Sequence, residues 1–357
     1  MEDVGAGSGS RTSLCACPRS IARSRLSTAS SESSATTPQP LAAALSAGFT
    51  ARQLRAAVDR DLLVRVRHGV LAAPDPRGAP REGRAAEKAE HRVRLLSALC
   101  KVGPGAMASH DSAALVATLS SPRAGVPARV ELVRPGAANF DGPGLRVRGS
   151  GVPPEQRAVV DGIPTPSLVR TAVDLARGES IAAALVPLDA AARRLITRDE
   201  DRHWVAREMV HDDTRRTAAV AQLTEVVETC CGWPGIAAVR RALPYIDPAA
   251  ESPLESRSRA WFRAAGLPRL HVGYAVHTSS GTLWADFCDP ERRIIGEADG
   301  WSKYGDDLAA VREAIEAEKR RQAELEDDGW RVVRWTSRDS RDAVVSRMAS
   351  ALTRRRW

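Results

Sequence analysis

Leu283-Trp284-Ala285-Asp286-Phe287, then Arg293-Ile294-Ile295-Gly296-Glu297-Ala298-Asp299-Gly300, decide how the C-terminal third of this chain is read. Both runs are apolar or β-branched and are bounded by Asp-Pro and Asp-Gly turn signals, which predicts two short strands. Side chains alternate across a strand, so Arg293, Ile295, Glu297 and Asp299 share one face, and Trp284 and Asp286 another. The tight Asp289-Pro290 connection predicts a hairpin, bringing Asp286, Glu297 and Asp299 to one end of a sheet. Carboxylates gathered in one place repel unless a cation or a basic side chain neutralises them. Hard divalent ions such as Mg²⁺ (or Mn²⁺) prefer that oxygen-rich setting, and such a site suits metal-assisted phosphodiester hydrolysis. Acidic residues at strand ends are otherwise ordinary solvated turn residues, and spacing alone does not separate the two readings.

The flanks add to this. Ser252 as N-cap and Pro253 at the first helical position open a helix over 254–265, with Leu254, Trp261 or Phe262, and Ala265 on its buried face. Glu255 and Arg259, four apart, share another face. Glu255 is there either a surface salt pair or a carboxylate aimed over the sheet. Arg257 and Arg259 are candidate phosphate contacts. A long helix over 306–328 ends at Gly329. Its basic run Lys319-Arg320-Arg321 reads as a solvated face, or as a DNA-backbone contact if the helix packs beside the acidic strand ends. Trp330 to Trp335 returns as a strand.

From Ser252 to Leu352 the chain resembles the very-short-patch-repair-like endonuclease domain (domain of unknown function 559), a branch of the PD-(D/E)XK nuclease clan. The resemblance is carried by Ser252-Pro253-Leu254-Glu255-Ser256-Arg257, Ala265-Gly266-Leu267-Pro268, Ala285-Asp286-Phe287, Gly296-Glu297-Ala298-Asp299-Gly300, Lys303-Tyr304 and Gly329-Trp330-Arg331-Val332-Val333-Arg334. It implies a restriction-endonuclease-like three-layer domain. The clan holds one or two Mg²⁺ ions with a helix glutamate, a strand aspartate and a Glu-x-Lys strand, which fall here on Glu255, Asp286 and Glu297. The lysine position holds Asp299. Lys303, just beyond the strand, is placed to reach back for the lysine's role, or Asp299 is itself a further metal ligand.

Composition sets the bounds. The 357 residues allow two or three domains, and the formal net charge of +8 fits a polyanionic partner such as nucleic acid. Arg- and Ala-rich composition from a GC-rich genome explains the same charge. No stretch reaches transmembrane length, and the N-terminus lacks the apolar core of a secretory signal. The six cysteines, Cys15, Cys17, Cys100, Cys230, Cys231 and Cys288, lack paired metal-ligand spacing. A reduced cytoplasm is the expected setting.

Five regions are expected: a disordered N-terminus (1–36), a winged helix-turn-helix (37–74), a linker (75–84), a mixed α/β middle domain (85–250) and the nuclease-like domain (251–357). The fold class is thus α/β, in the α+β sense. In the second region an Ala-rich helix over 38–45 precedes Thr50, an N-cap for a helix over 51–61 with Leu54 and Val58 inward. Leu62 to Leu71 alternates like a hairpin turning at His68-Gly69. Helix, turn, helix and basic hairpin form the layout in which the second helix enters the major groove. Arg52, Gln53 and Arg55 would contact bases or backbone, and Arg65, Arg67 and His68 would lie on the wing. The segment Val64-Arg65-Val66-Arg67-His68-Gly69-Val70 resembles the N-terminal domain of AbiEi-type antitoxins. Ser109-His110-Asp111-Ser112-Ala113-Ala114 and Arg170-Thr171-Ala172-Val173-Asp174-Leu175 resemble their middle region. That resemblance implies DNA as partner and a possible cognate toxin.

Within the middle region, 84–100 predicts a helix with Val93, Leu96 and Leu99 on one face, and Ser109 caps another. Residues 128–133 and 145–148 alternate as strands. Residues 161–177 form a turn and a helix, and 181–243 is mostly helical. His110, Asp111, Arg170 and Asp174 are placed to form a polar cluster, which reads first as a satisfied structural network. Three functions compete: an endonuclease, an inactive AbiEi-like antitoxin or repressor, and an RNA-directed factor.

Overall fold

The computed structural model describes residues 39–67, 69–72, 82–198, 200, 202–278, 281–299 and 321–353. It is mixed α and β, with several small sheets, and divides into two compact units, Met1–Pro104 and Gly105–Trp357.

The first unit contains β1 (Gln39–Pro40), α1 (Leu41–Ser46), α2 (Ala51–Asp59), β2 (Val64–Arg67), β3 (Val70–Ala72) and α3 (Gly83–Val102). The helix expected from Pro38 starts at Leu41, because Gln39 and Pro40 pair with β3 instead. The sheet order is β1-β3-β2, all antiparallel. Thr50 caps α2 as predicted, and Gln53 returns the bond: the Gln53 amide donates to Thr50 Oγ1 (3.2 Å) and the Thr50 amide to Gln53 Oε1 (2.8 Å). Ala44, Leu54 and Leu71 form the core, with Val58 packed on it. α3 packs on the sheet and belongs to this unit, not to the middle region. Its buried face is His91, Leu95 and Ala98 rather than Val93, Leu96 and Leu99. The buried face includes a histidine and a serine, Ser97, that an apolar periodicity does not count.

The second unit opens with β4 (Met107–Ala108), α4 (His110–Val116), β5 (Val130–Val133), β6 (Phe140–Gly142) and β7 (Leu145–Arg148). Its first sheet runs β4-β5-β7-β6, with β5 and β7 parallel. A hairpin of β8 (Arg157–Val160) and β9 (Ile163–Pro166) follows. The sequence hid this pair because Pro164 and Pro166 read as a turn; a two-stranded ladder leaves an edge where proline is tolerated. Then come α5 (Leu168–Ala176), α6 (Ile181–Thr197), α7 (His203–Met209), α8 (Asp213–Thr229) and α9 (Ile236–Ala242). The last part holds α10 (Pro253–Ala264), β10 (His271–Thr278), β11 (Gly281–Asp289), β12 (Ile294–Asp299), a helical stretch α11 (321–327), β13 (Arg331–Thr336) and α12 (Arg341–Thr353).

The sheet order is β10-β11-β12-β13, antiparallel except for the parallel β12–β13 pair. The predicted hairpin is present: Phe287 opposes Gly296, and Asp289 opposes Ile294. Asp289 Oδ1 accepts from the Arg292 amide (3.0 Å) and closes the turn. Arg293 is not in the strand; it takes φ 50 in that turn. Phe287, Ala298 and Trp335 pack with Phe262 of α10 and Met348 of α12. Val276, Ala285, Cys288 and Ile295 pack with Leu325 of α11. The sheet thus has helices on both faces.

The boundary expected at 250/251 is not a boundary between cores. Ala172, Leu188, Leu223, Val239, Phe262, Phe287 and Trp335 share one continuous apolar cluster. α10 packs against α6, and buried Asp189 of α6 meets Arg259 Nη2 at 2.5 Å. Burial pushes the Asp189 carboxyl up to about 6, against the pull of Arg259.

Phe262 meets Phe287 and Trp335 edge-on, each at 5.5 Å between ring centroids. A Cβ at Gly296 would stand 2.8 Å from both Met348 Cε and Trp335 Cη2, and 3.1 Å from Phe287 Cβ. Met348 can swing aside but the indole cannot. Gly296→Ala is therefore expected to lose about 1–3 kcal/mol in urea denaturation; an unchanged midpoint would contradict this packing. Among the described residues no helix is long and apolar enough to cross a membrane.

Candidate metal centre

The cluster is assembled from three elements. Ser252 Oγ accepts from the Glu255 amide (3.2 Å) and caps α10 as predicted. The fully buried residues of that helix are Glu255, Ser256, Ser258 and Phe262; Leu254 and Trp261 pack half-buried on the core, and Ala265 is exposed. Trp335 Nε1 donates to Ser258 Oγ (2.8 Å), fixing α10 to β13. This turns Glu255 inward: only 4% of it is exposed. Its Oε2 accepts from the Glu251 amide at 2.7 Å. The surface pair with Arg259 does not form, because Arg259 is held by Asp189 and the Tyr245 carbonyl.

Asp286 sits where β11 and β12 part. On the β10 side the pairing runs through Val272–Phe287 and Tyr274–Ala285, with Gly273 between them at φ 60, and the β11–β12 pairing stops at Phe287 and Gly296. Asp286 is half-buried, and Oδ2 accepts from the Ala298 amide at 2.7 Å. Glu297 is 7% exposed. Its Oε1 accepts from Arg321 Nη2 at 2.9 Å, and the same guanidinium group reaches the Trp284 carbonyl at 3.3 Å. Asp299 is half-buried at the end of β12.

The electrostatics tie these groups together. Burial, then the Asp286 charge, pushes the Glu255 carboxyl up to about 8. Burial, then Asp286, also pushes Glu297 up to about 8, with Asp299 adding to the rise and Arg321 and Arg334 opposing it. Asp286 is therefore the shared neighbour of two buried carboxyls on different elements.

Among the described residues no three His, Cys, Asp or Glu side chains stand together as a ready cage for an ion. Mg²⁺ does not require one. It commonly takes one or two carboxylates and completes its shell with water and substrate phosphate oxygens. The all-oxygen donors of Asp286 and Glu297 fit a hard divalent cation, and Arg321 supplies part of the positive charge there now.

Lys303 lies outside the described residues. Arg257 and Arg259, read as phosphate contacts, are spent inside the fold: Arg257 donates to the Pro122 carbonyl, and Arg259 is bound as above. In the first unit Arg52, Arg55 and Arg65 are exposed, whereas exposed Gln53 is engaged in the cap of α2. Arg67 lies in β2, and His68 is outside the described residues. Arg321 and Arg334 were not singled out as site residues; the run Lys319-Arg320-Arg321 was the available signal.

Among similar proteins are two from Mycobacterium tuberculosis, "Uncharacterized protein MT2308" of strain CDC 1551 / Oshkosh and "Uncharacterized protein Rv2248" of strain ATCC 25618 / H37Rv. Each is 29% identical over 164 residues, covering 46% of this chain and 51% of the relative. The chain spans about half the length of the curated relatives it matches. No family model matches the sequence.

Proposed function

We propose that this protein binds DNA and that its C-terminal sheet carries a metal-dependent endonuclease site of the PD-(D/E)XK kind, in a restriction-endonuclease-like arrangement. The observation that carries the reading is Asp286 acting on both Glu255 and Glu297, in the order and on the element types that the clan resemblance implies. Asp286 and Glu297 would hold Mg²⁺ or Mn²⁺, with Asp299 beside them. The bound ion would acidify a water and withdraw charge from the phosphoryl oxygens. Glu255, raised to about 8 by burial and by Asp286, holds a proton at neutral pH and would release it as a cation binds. Arg321 would supply the cation that the clan takes from lysine, moving between Glu297 and the phosphate. The exposed Arg52, Arg55 and Arg65 of the first unit, read as a winged helix-turn-helix, would add phosphate contacts, so binding would weaken with salt.

Arg321→Ala is expected to lower cleavage by about 100-fold, with partial recovery in Arg321→Lys. Equal rates in all three proteins would remove Arg321 from the reaction. Purified protein incubated with supercoiled plasmid and Mg²⁺ or Mn²⁺ tests the reading as a whole. A second reading, a non-cleaving antitoxin-like repressor, is favoured by one observation: Arg321 already sits on Glu297 where a metal ion would go. Specific binding to its own promoter without cleavage of any nucleic acid would select it.

A further inference from the structure

The segment Ser109-His110-Asp111 and the arginines around it have no part in the cleavage site. His110 holds φ 46, a left-handed conformation that costs a non-glycine residue energy. The structure around it holds the backbone there. The Ser109 amide donates to the Glu131 carbonyl (2.9 Å) and the Asp111 amide to Glu131 Oε2 (3.2 Å). Ser109 itself makes no side-chain cap on α4, contrary to the expectation from sequence.

Burial first, then the charges of Arg148, Arg177, Arg123 and Arg170, hold the His110 pKa well below its ordinary value, so the ring is neutral. Each arginine is fixed by a carboxylate, Arg170 and Arg177 sharing Asp174. Arg148 Nη2 donates to Glu131 Oε1 (3.1 Å) and Arg123 Nε to Asp111 Oδ2 (2.6 Å). Arg170 Nε donates to Asp174 Oδ2 at 2.9 Å, and Arg177 Nη2 stands 3.3 Å from Asp174 Oδ1. Arg170 and Arg177 both stack on Trp233, at 4.5 and 5.0 Å from the ring centroid.

The hydrogen bonds left unmade are one-sided. Ser109 Oγ, His110 Nδ1, Arg148 Nη1 and Arg177 Nε are buried with no hydrogen-bond partner, as is Thr165 Oγ1 on the adjacent β9. Every one of these atoms donates, or donates in one tautomer or rotamer. The acceptor in the same state, Asp174 Oδ1, already faces Arg177. Native interiors leave few such groups unsatisfied, and a gathering of donors calls for an acceptor-rich ligand. His110 is half-buried, and the Arg148 and Arg177 side chains keep 24% and 15% exposure; the unpaired atoms themselves are closed to solvent, so a ligand would reach them as these two side chains turn.

We propose that His110, Arg148 and Arg177, with the Ser109 hydroxyl, form a binding site for a small phosphate-class oxyanion, either free phosphate or the phosphate of a nucleotide. It is built on different elements from the acidic cluster. Guanidinium groups match tetrahedral oxyanions geometrically and bind them by charge-assisted hydrogen bonds. The seven-residue α4 contributes side chains only, since its Asp111 amide is taken by Glu131. A bound anion would add to the carboxylates that already face these arginines, and the imidazole would donate to it through Nδ1.

The test titrates inorganic phosphate into the full chain by calorimetry, with chloride at matched ionic strength as the blank. A nucleoside 5′-monophosphate is titrated in parallel. Saturable one-to-one binding is expected. His110→Asn, which tolerates the left-handed backbone, and Arg148→Gln should each weaken it by at least about tenfold. Tighter binding of the nucleotide than of phosphate assigns the nucleotide as the source; equal binding assigns the free ion. In wild-type protein labelled at histidine, phosphate should move the His110 ring resonance, a readout that needs no variant to fold. Heat no different from that of chloride with an unmoved His110 resonance, or binding that neither folded variant weakens, overturns the site.

Discussion

Asp286→Asn and Glu297→Gln are each expected to reduce Mg²⁺-dependent DNA cleavage by roughly a thousandfold or more, while far-UV circular dichroism and melting stay near wild type. Both changes preserve volume and hydrogen-bonding shape but remove the charge that a cation needs. Losing a preorganised charge at a phosphoryl site costs on the order of 10²–10³ in rate, and losing a ligand also weakens the ion's hold. Neither residue anchors the apolar core, which rests on Phe262, Phe287 and Trp335. Asp286 does accept a hydrogen bond from the Ala298 amide, and asparagine can still accept it through its carbonyl oxygen. Cleavage that survives both substitutions would come from another site or another protein.

The second large effect concerns proton and metal linkage. Glu255 and Glu297 are both raised to about 8 in the folded chain, from ordinary values of 4.5. An acid whose pKa is raised by folding contributes stability that is complete below the unfolded value and is lost as pH rises through the folded value. In EDTA the melting temperature should therefore fall from about pH 4.5 to about pH 8 and level off above it. Two buried carboxyls sharing Asp286 as neighbour do not titrate independently, so the losses do not simply add. A fall on the order of 5–10 °C is expected for a unit of this size. Mg²⁺ binds the deprotonated carboxylates and releases protons, so millimolar Mg²⁺ should restore most of the loss at pH 9 and little at pH 6. Glu255→Gln with Glu297→Gln should flatten the profile. A melting temperature that is level across this range in EDTA would contradict the buried charge cluster. An identical decline with Mg²⁺ present would contradict the ion site.

What the sequence revealed was mostly local chemistry. The Thr50 and Ser252 caps and the Asp289 turn depend on residues three or four positions apart, and each was legible. Strand alternation likewise placed Asp286 and Glu297 on a shared hairpin. What stayed hidden depends on partners distant in sequence. Glu255 reads equally as half of a surface pair with Arg259 or as a carboxylate over the sheet, and what decides is Asp189, 70 positions from Arg259, which takes the arginine. Arg321 reaches Glu297 across 24 positions from a helix whose basic run carries no mark of its target. His91 on the buried face of α3 defeated a purely apolar reading of that helix. The single core linking α5 to α12 was also illegible, because apolar periodicity gives the face that is buried but not the element that covers it.

The most direct test is crystallography of the protein grown with Mn²⁺, read by anomalous scattering at the manganese edge. The account predicts a peak bonded to carboxylate oxygens of both Asp286 and Glu297, at the distances of a hard octahedral ion, with Arg321 displaced from Glu297. A crystal saturated with Mn²⁺ that shows no peak there, with Arg321 still seated on Glu297, would contradict it.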